Sequence, residues 1–378
     1  MKKFFWFGLI GLLLFEIANV YFIMPMPGSQ KMNSIDLAYF FYSWRWAFRL
    51  LFVLLLVIGL FAAYWKRKWL LIIPIVLLVT VVYLVNFKLA ADHMFYQPRS
   101  LLMASANKNK VDPGRLVIGV TLNGEAKAYP IQFLGFHHQV QDTIGGSPVM
   151  ITYCTVCRTG RVFQPIVNGK YERFRLVGMD HFNAMFEDAT TKSWWRQVTG
   201  EAIAGRLSGR QLPEVFSTQT SLAEWLQLNP NSLIMQADPA FITSYDSTTK
   251  FESGKSKSKL TGTDSLSWRD KSWVIGVKAA TGRKAYDWNQ LKTERIIQDK
   301  IENTPVLLVL ANDNKSFFAF ERPLENSLFN LTGDTLVYNN HRYRIDGKGI
   351  DTSFSLKPLQ TSQEFWHSWR TFYPDTRK

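Results

Sequence analysis

Cys154 and Cys157 are the only two thiols in a chain of 378 residues, and their C-x-x-C spacing is its one motif with a definite chemistry. Disulfide frameworks use many cysteines spread along a chain, so that class is excluded. Three readings remain: a pair of metal ligands, a redox dithiol, or an inert buried pair. A thioredoxin-type pair opens a helix, whose N-terminal dipole favours the thiolate. Here the preceding Met150–Tyr153 run reads as a strand and Arg158-Thr-Gly160 leads into another. The spacing therefore predicts a strand–turn–strand knuckle that aims two sulfurs at one point.

Zinc asks for four ligands, so two thiolates need company. Candidates in the same region are His137, His138 and His181, joined by Met179 and Met185 if the ion is soft like Cu(I). His137 is the first choice, because it enters the turn 143–148 that returns the chain toward Cys154. Its alternative role is a hydrogen bond to Asp142 or to a main-chain carbonyl. The expected metal set is Cys154, Cys157, His137 and His181, holding Cu or Zn. A thiol–disulfide oxidoreductase using Cys154 and Cys157 is the second expectation. A structural or interaction module without catalysis is the third. Thr263-Asp-Ser-Leu266 lacks the preceding glycine of a hydrolase nucleophile block, Gly145-Gly146 is too short for a phosphate loop, and Asn330-Leu-Thr332 matches a glycosylation acceptor.

The scaffold around these residues repeats. Val117-Ile-Gly-Val120 recurs as Val274-Ile-Gly-Val277, and without a gap 14 of the 47 residues at 117–163 are identical to those 157 positions later. Average composition gives about 6% identity per position by chance. Val198-Thr-Gly200 corresponds to Leu331-Thr-Gly333. Closing helices are expected from Ser221-Leu-Ala-Glu224 and Thr361-Ser-Gln-Glu364, both of capping-box form. At the same offset Cys154, Cys157 and His137 face Ala311, Asn314 and Glu294, which implies a functional first unit and a structural second one. Short aliphatic and β-branched runs make each unit strand-rich, with Asn168-Gly169 a hairpin signal. The segment 242–263 reads as a long connecting loop, and Trp194-Trp195 as core.

The first 88 residues hold nine bases against two acids, Glu16 and Asp36, and contain three apolar runs at 4–24, 47–65 and 69–87. Each is about 20 residues, the length that crosses a bilayer as a helix, with Trp and Tyr clustered near the ends. Lys2-Lys3 and Lys66-Arg67-Lys68 fall on one side of three spans, which places the N-terminus inside and everything after about residue 90 outside. Glu16 is expected to pair with a neighbouring helix. The rest of the chain is mildly basic with no concentrated basic stripe, which argues against nucleic acid as a partner. The lipid bilayer is the one partner implied.

The stretches Asp142-Thr-Ile-Gly-Gly-Ser-Pro-Val149, Thr152-Tyr-Cys-Thr-Val-Cys-Arg-Thr-Gly160, Ser193-Trp-Trp and Thr199-Gly-Glu-Ala-Ile203 resemble the domain-of-unknown-function family 3179. The resemblance implies a bacterial, often membrane-attached protein and covers nearly all of the chain outside the apolar segment. It implies a histidine at the place of His137. Members commonly read C-P-L-C where this chain has Cys154-Thr-Val-Cys157, and the family name implies no activity. The expected fold class is a three-helix transmembrane anchor plus a mixed α/β, β-rich soluble part made of two duplicated units. Its parts are an anchor at 1–89, a connector at 90–110, a first unit at 111–236, a linker loop at 237–269 and a degenerate second unit at 270–378. The expected location is the bacterial cytoplasmic membrane, multi-pass, with the soluble part periplasmic.

Overall fold

The computed structural model describes residues 1–246 and 248–376. The chain divides into two compact units.

One unit comprises residues 1–96, 174–196 and 201–211. Three of its helices, Lys2–Tyr21, Arg45–Ala62 and Lys68–Lys88, are long and apolar enough to cross a membrane. The first two approach so closely that a Cβ added at Gly59 would lie 2.1 Å from Phe5 N, and one at Gly8 would lie 2.5 Å from Leu56 N. Small residues permit such contact where no hydrophobic effect drives helices together. Glu16, expected to pair, does so: it is 1% exposed, accepts from Arg49 at 2.6 Å and takes a further bond from Asn86 at 2.9 Å.

The same unit contains a four-stranded antiparallel sheet ordered Ala202–Ala204, Trp194–Arg196, Asn183–Asp188, Phe174–Asp180. Trp194 is fully buried, with the rings of Tyr39 and Tyr42 at 5.0 and 5.2 Å. Trp194-Trp195 is thus core, as its sequence suggests. These strands group with the apolar helices although their sequence position falls inside the 111–236 stretch.

The other unit comprises 97–173, 197–200 and 212–378. It is β-rich with short helices. From Leu116–Leu122 the chain runs through Glu125–Pro130, the helix Ile131–His137, Gln139–Ile144, Ser147–Cys154 and Thr159–Phe163. From Trp273–Lys278 it runs through Arg283–Asp287, the helix Trp288–Glu294, Ile296–Ile301, Thr304–Leu310 and Phe317–Glu321. In both stretches the two strands before the helix pair antiparallel, and so do the three after it in succession. In the later stretch the long strand Lys357–Phe365 pairs with both Trp273–Lys278 and Phe317–Glu321, making one six-stranded sheet. In the earlier one Thr218–Ser221 reaches only Leu116–Leu122, so the strands divide into sheets of five and three.

Local sequence accounts for several details. Asn168 and Gly169 have φ of 51° and 75° between the paired strands Ile166–Val167 and Lys170–Tyr171, as a two-residue hairpin turn requires. The Ser221 hydroxyl accepts from Glu224 N and caps the helix Leu222–Leu228. The capping box expected at Thr361–Glu364 does not form. Those residues extend the strand Lys357–Phe365, and Glu364 is instead buried against Arg161. The segment 242–263, expected as a loop, carries helices at Ile242–Tyr245 and Thr248–Glu252, and Glu252 accepts from Leu116 N at 2.5 Å.

Candidate functional site

Cys154 ends the strand Ser147–Cys154 and pairs with Thr159 across the turn. Arg158, with φ of 56°, lets the chain reverse, so the pair does sit on a strand–turn–strand corner. Both thiols are fully buried and no disulfide joins them. The turn is fastened by three consecutive residues of the strand Lys357–Phe365. Phe365 N donates to Cys157 O at 2.9 Å, Gln363 Oε1 accepts from Arg158 Nε at 2.8 Å, and Glu364 forms a fully buried ion pair with Arg161 at 2.5 Å. Arg158 also donates to the carbonyls of Phe251 and Glu252 and lies 3.6 Å over the Trp273 ring. Gln197 adds bonds to Thr152 Oγ1 and Thr159 O.

Two basic side chains meet at the carbonyl of Val156, the residue inside the motif. Lys271 Nζ donates to it at 2.9 Å, and His367 Nε2 lies 3.2 Å away. Lys271 also donates to Leu260 O at 2.5 Å, stands 3.2 Å from His367 Nε2 and lies 4.5 Å from the Phe365 ring centre. Burial, then the charge of Lys271, pushes the His367 imidazole down to about 4, so it is neutral at pH 7. The single Nε2 atom serves the two neighbours in alternative tautomers: protonated it donates to Val156 O, unprotonated it accepts from Lys271 Nζ. Burial also lowers the pKa of Lys271, and negative charge on Cys157, Cys154 and then Asp270 opposes that shift. Among the described residues Lys271 has no carboxylate in ion-pair contact.

The histidines expected as ligands lie as follows. His137 ends the helix Ile131–His137, is fully buried, and its Nε2 meets Tyr245 Oη at 2.7 Å. His138 follows in the left-handed region with Nδ1 at 3.3 Å from Phe136 O, and burial pushes its imidazole down to about 4. His181 belongs to the other compact unit, where Nδ1 meets Asp180 at 2.6 Å and Nε2 meets Asn33 at 3.1 Å; its bond to Asp180 raises its pKa. Met179 and Met185 belong to that unit as well. Among the described residues no group of three or more His, Cys, Asp and Glu side chains comes together as a metal ion would require. The set Cys154, Cys157, His137 and His181 is therefore not assembled as a four-ligand centre.

Sequence spacing could not reveal Lys271 and His367, which lie 115 and 211 residues from the carbonyl they share. Both come from the part of the chain read as the degenerate second unit. Residues 97–376 match the family model described as "Protein of unknown function (DUF3179)". Among curated proteins and among solved structures, nothing matches.

Proposed function

Because the chain belongs to the DUF3179 family, whose members have no assigned function, its activity has to be read from its own residues, and we propose that Cys154 and Cys157 form a dithiol that cycles with a disulfide. The observation that carries this reading is the half-buried Lys271 ammonium on the motif's own carbonyl, where the two cysteines act on its charge before Asp270 does and where, among the described residues, no carboxylate comes within ion-pair distance. A thiolate is the counter-charge within the motif, and positive charge beside a thiol favours the reactive thiolate. In the reaction, one thiolate attacks a sulfur of an external disulfide and expels a thiolate. The second cysteine then attacks the mixed disulfide, giving the Cys154–Cys157 bond and a second free thiol. Since both sulfurs are buried, the turn has to open for the co-reactant to enter.

Three further readings belong here. The matching element order and hairpin pairing at 116–163 and 273–321, with the identities at one offset, support an ancient duplication whose first copy alone kept the thiols. The basic clusters at Lys2-Lys3 and 66–68 support a bacterial envelope protein with an internal N-terminus and the thiol-bearing part outside. Metal capture stays as the competing use of the same pair: two buried thiolates suit a soft monovalent ion such as Cu(I) better than zinc.

One experiment separates the two uses. Full-length protein in detergent is titrated with diamide, and Cys154 and Cys157 are followed by mass spectrometry and elemental analysis. The dithiol reading expects reversible loss of two hydrogens, slower in Lys271→Met than in Lys271→Arg, which keeps the charge. Thiols that stay reduced while one equivalent of copper survives dialysis would overturn it in favour of metal capture.

A further inference from the structure

A cleft of about 610 Å3 opens within the β-rich unit, a size in the usual range for small-molecule sites. Four cationic side chains line it: Arg115, Arg158, Lys292 and Lys315. Only two carboxylates do, Asp112 and Glu252, and both are already engaged by the walls. Asp112 accepts from Gly114 N at 2.7 Å, and Glu252 accepts from Leu116 N and Arg115. The cations have mostly neutral company. Arg158 bonds to two main-chain carbonyls and an amide oxygen, Lys315 to Gly114 O at 2.6 Å, and exposed Lys292 has no ion pair among the described residues. Two positive charges are thus left over in a concave site, which concentrates their field.

The opposite character is supplied by indole rings. Trp273 and Trp288 both line the cleft, with centroids 6.2 Å apart and planes at 51°. Trp288 and Lys292 are four residues apart on the helix Trp288–Glu294, so ring and ammonium share one face. Gln363 spends its carbonyl oxygen on Arg158, and the donor end of its amide is what it can offer a ligand. Flat apolar wall, surplus positive charge and amide donor together describe a two-part recognition surface.

We propose that this cleft binds a small organic anion, one that carries a flat apolar face beside a phosphate or carboxylate group. The site does not rest on the dithiol reading, because neither lysine nor either indole belongs to the cysteine motif. Phenyl phosphate is the probe, inorganic phosphate and benzyl alcohol are the half-probes, and full-length protein in detergent is titrated by calorimetry. Phenyl phosphate is expected to bind saturably at one site per chain, with each half-probe weaker by about tenfold or more. Lys292→Ala with Lys315→Ala, both on exposed side chains, should weaken phenyl phosphate about tenfold and leave the thiol titration unchanged. Three results overturn the proposal: no saturable binding, a double variant that binds like the parent, or inorganic phosphate binding as tightly as the aromatic ester.

Discussion

At the scale of single residues, two adjacent basic groups out of water cannot both carry charge cheaply, and the pair beside the thiols resolves this by keeping one neutral. His367 is that one. Burial and then the charge of Lys271 lower its pKa, Arg370 adds to them, and they outweigh the opposing Val156 carbonyl and Asp270. His138 is held neutral in the same way, with His137 beside it. The sign of the consequence follows. Both imidazoles have folded pKa values near 4, below the ordinary 6.5. Between those limits the unfolded chain takes up protons that the folded chain refuses, so stability is complete above about pH 6.5 and falls as pH drops toward 4. Each histidine contributes up to about 3 kcal/mol over that window. Urea midpoints of the parent and His367→Gln at pH 7.5, 6 and 5 should therefore converge as pH falls, since the variant has one imidazole fewer to protonate. Parallel curves would mean that His367 is no more buried in solution than an ordinary surface histidine.

At the scale of elements, each closing helix is seated by a tryptophan on a glycine of the strand beneath it. A Cβ at Gly119 would lie 2.2 Å from the Trp225 ring, and one at Gly276 would lie 1.9 Å from the Trp369 ring. Trp369 is fully buried, so the ring has nowhere to retreat. Gly276→Ala is expected to cost about 1–3 kcal/mol by overpacking, whereas Gly282→Ala, which meets side-chain atoms alone, Glu302 at 3.0 Å and Ile301 at 3.3 Å, should cost less than about 1 kcal/mol. Chemical denaturation of the two variants checks this, and equal midpoints would sink it. These glycines and tryptophans sit in the pattern that was legible beforehand. Val117–Val120 and Val274–Val277 are recognisable as strands because short β-branched runs at a fixed offset report burial directly. Thr361–Glu364 was not legible, because a capping-box sequence is only a local preference. Here a buried Arg161 makes a stronger demand on Glu364 than a helix N-terminus does. Nor could any local rule place Lys271 and His367 against Val156, since tertiary folding alone brings distant side chains to one carbonyl.

At the scale of the whole molecule, orientation turns on which basic residues truly face the loops. Three spans would put Lys2-Lys3 and Lys66-Arg67-Lys68 on one side, and Lys31, Arg45, Arg49 and Lys88 toward the other. Taken as a bare count, the second group weakens the contrast. Its members are not equivalent, however. Arg49 is paired with Glu16 and Asn86 inside the helical bundle, so its charge is neutralised there and does not act on a loop. Arg45 lies 3.9 Å from the Tyr42 ring centre and donates to Tyr42 O, which leaves Lys31 and the exposed Lys88 as the plainest cations of that side. The surviving asymmetry is five bases at Lys2, Lys3, Lys66, Arg67 and Lys68 against Lys31, Arg45 and Lys88, and short loops rich in Lys and Arg stay in the cytoplasm. An alkaline phosphatase fused after Lys378 should therefore be active, and a reporter that works only in the cytoplasm should be silent at the same point. Replacing Lys66, Arg67 and Lys68 by Gln should lower the phosphatase signal, whereas Arg49→Gln should destabilise the bundle without inverting it, because breaking a buried pair leaves Glu16 uncompensated. A silent phosphatase paired with an active cytoplasmic reporter would place the thiols in the cytoplasm and remove the envelope setting on which their exchange with external disulfides depends.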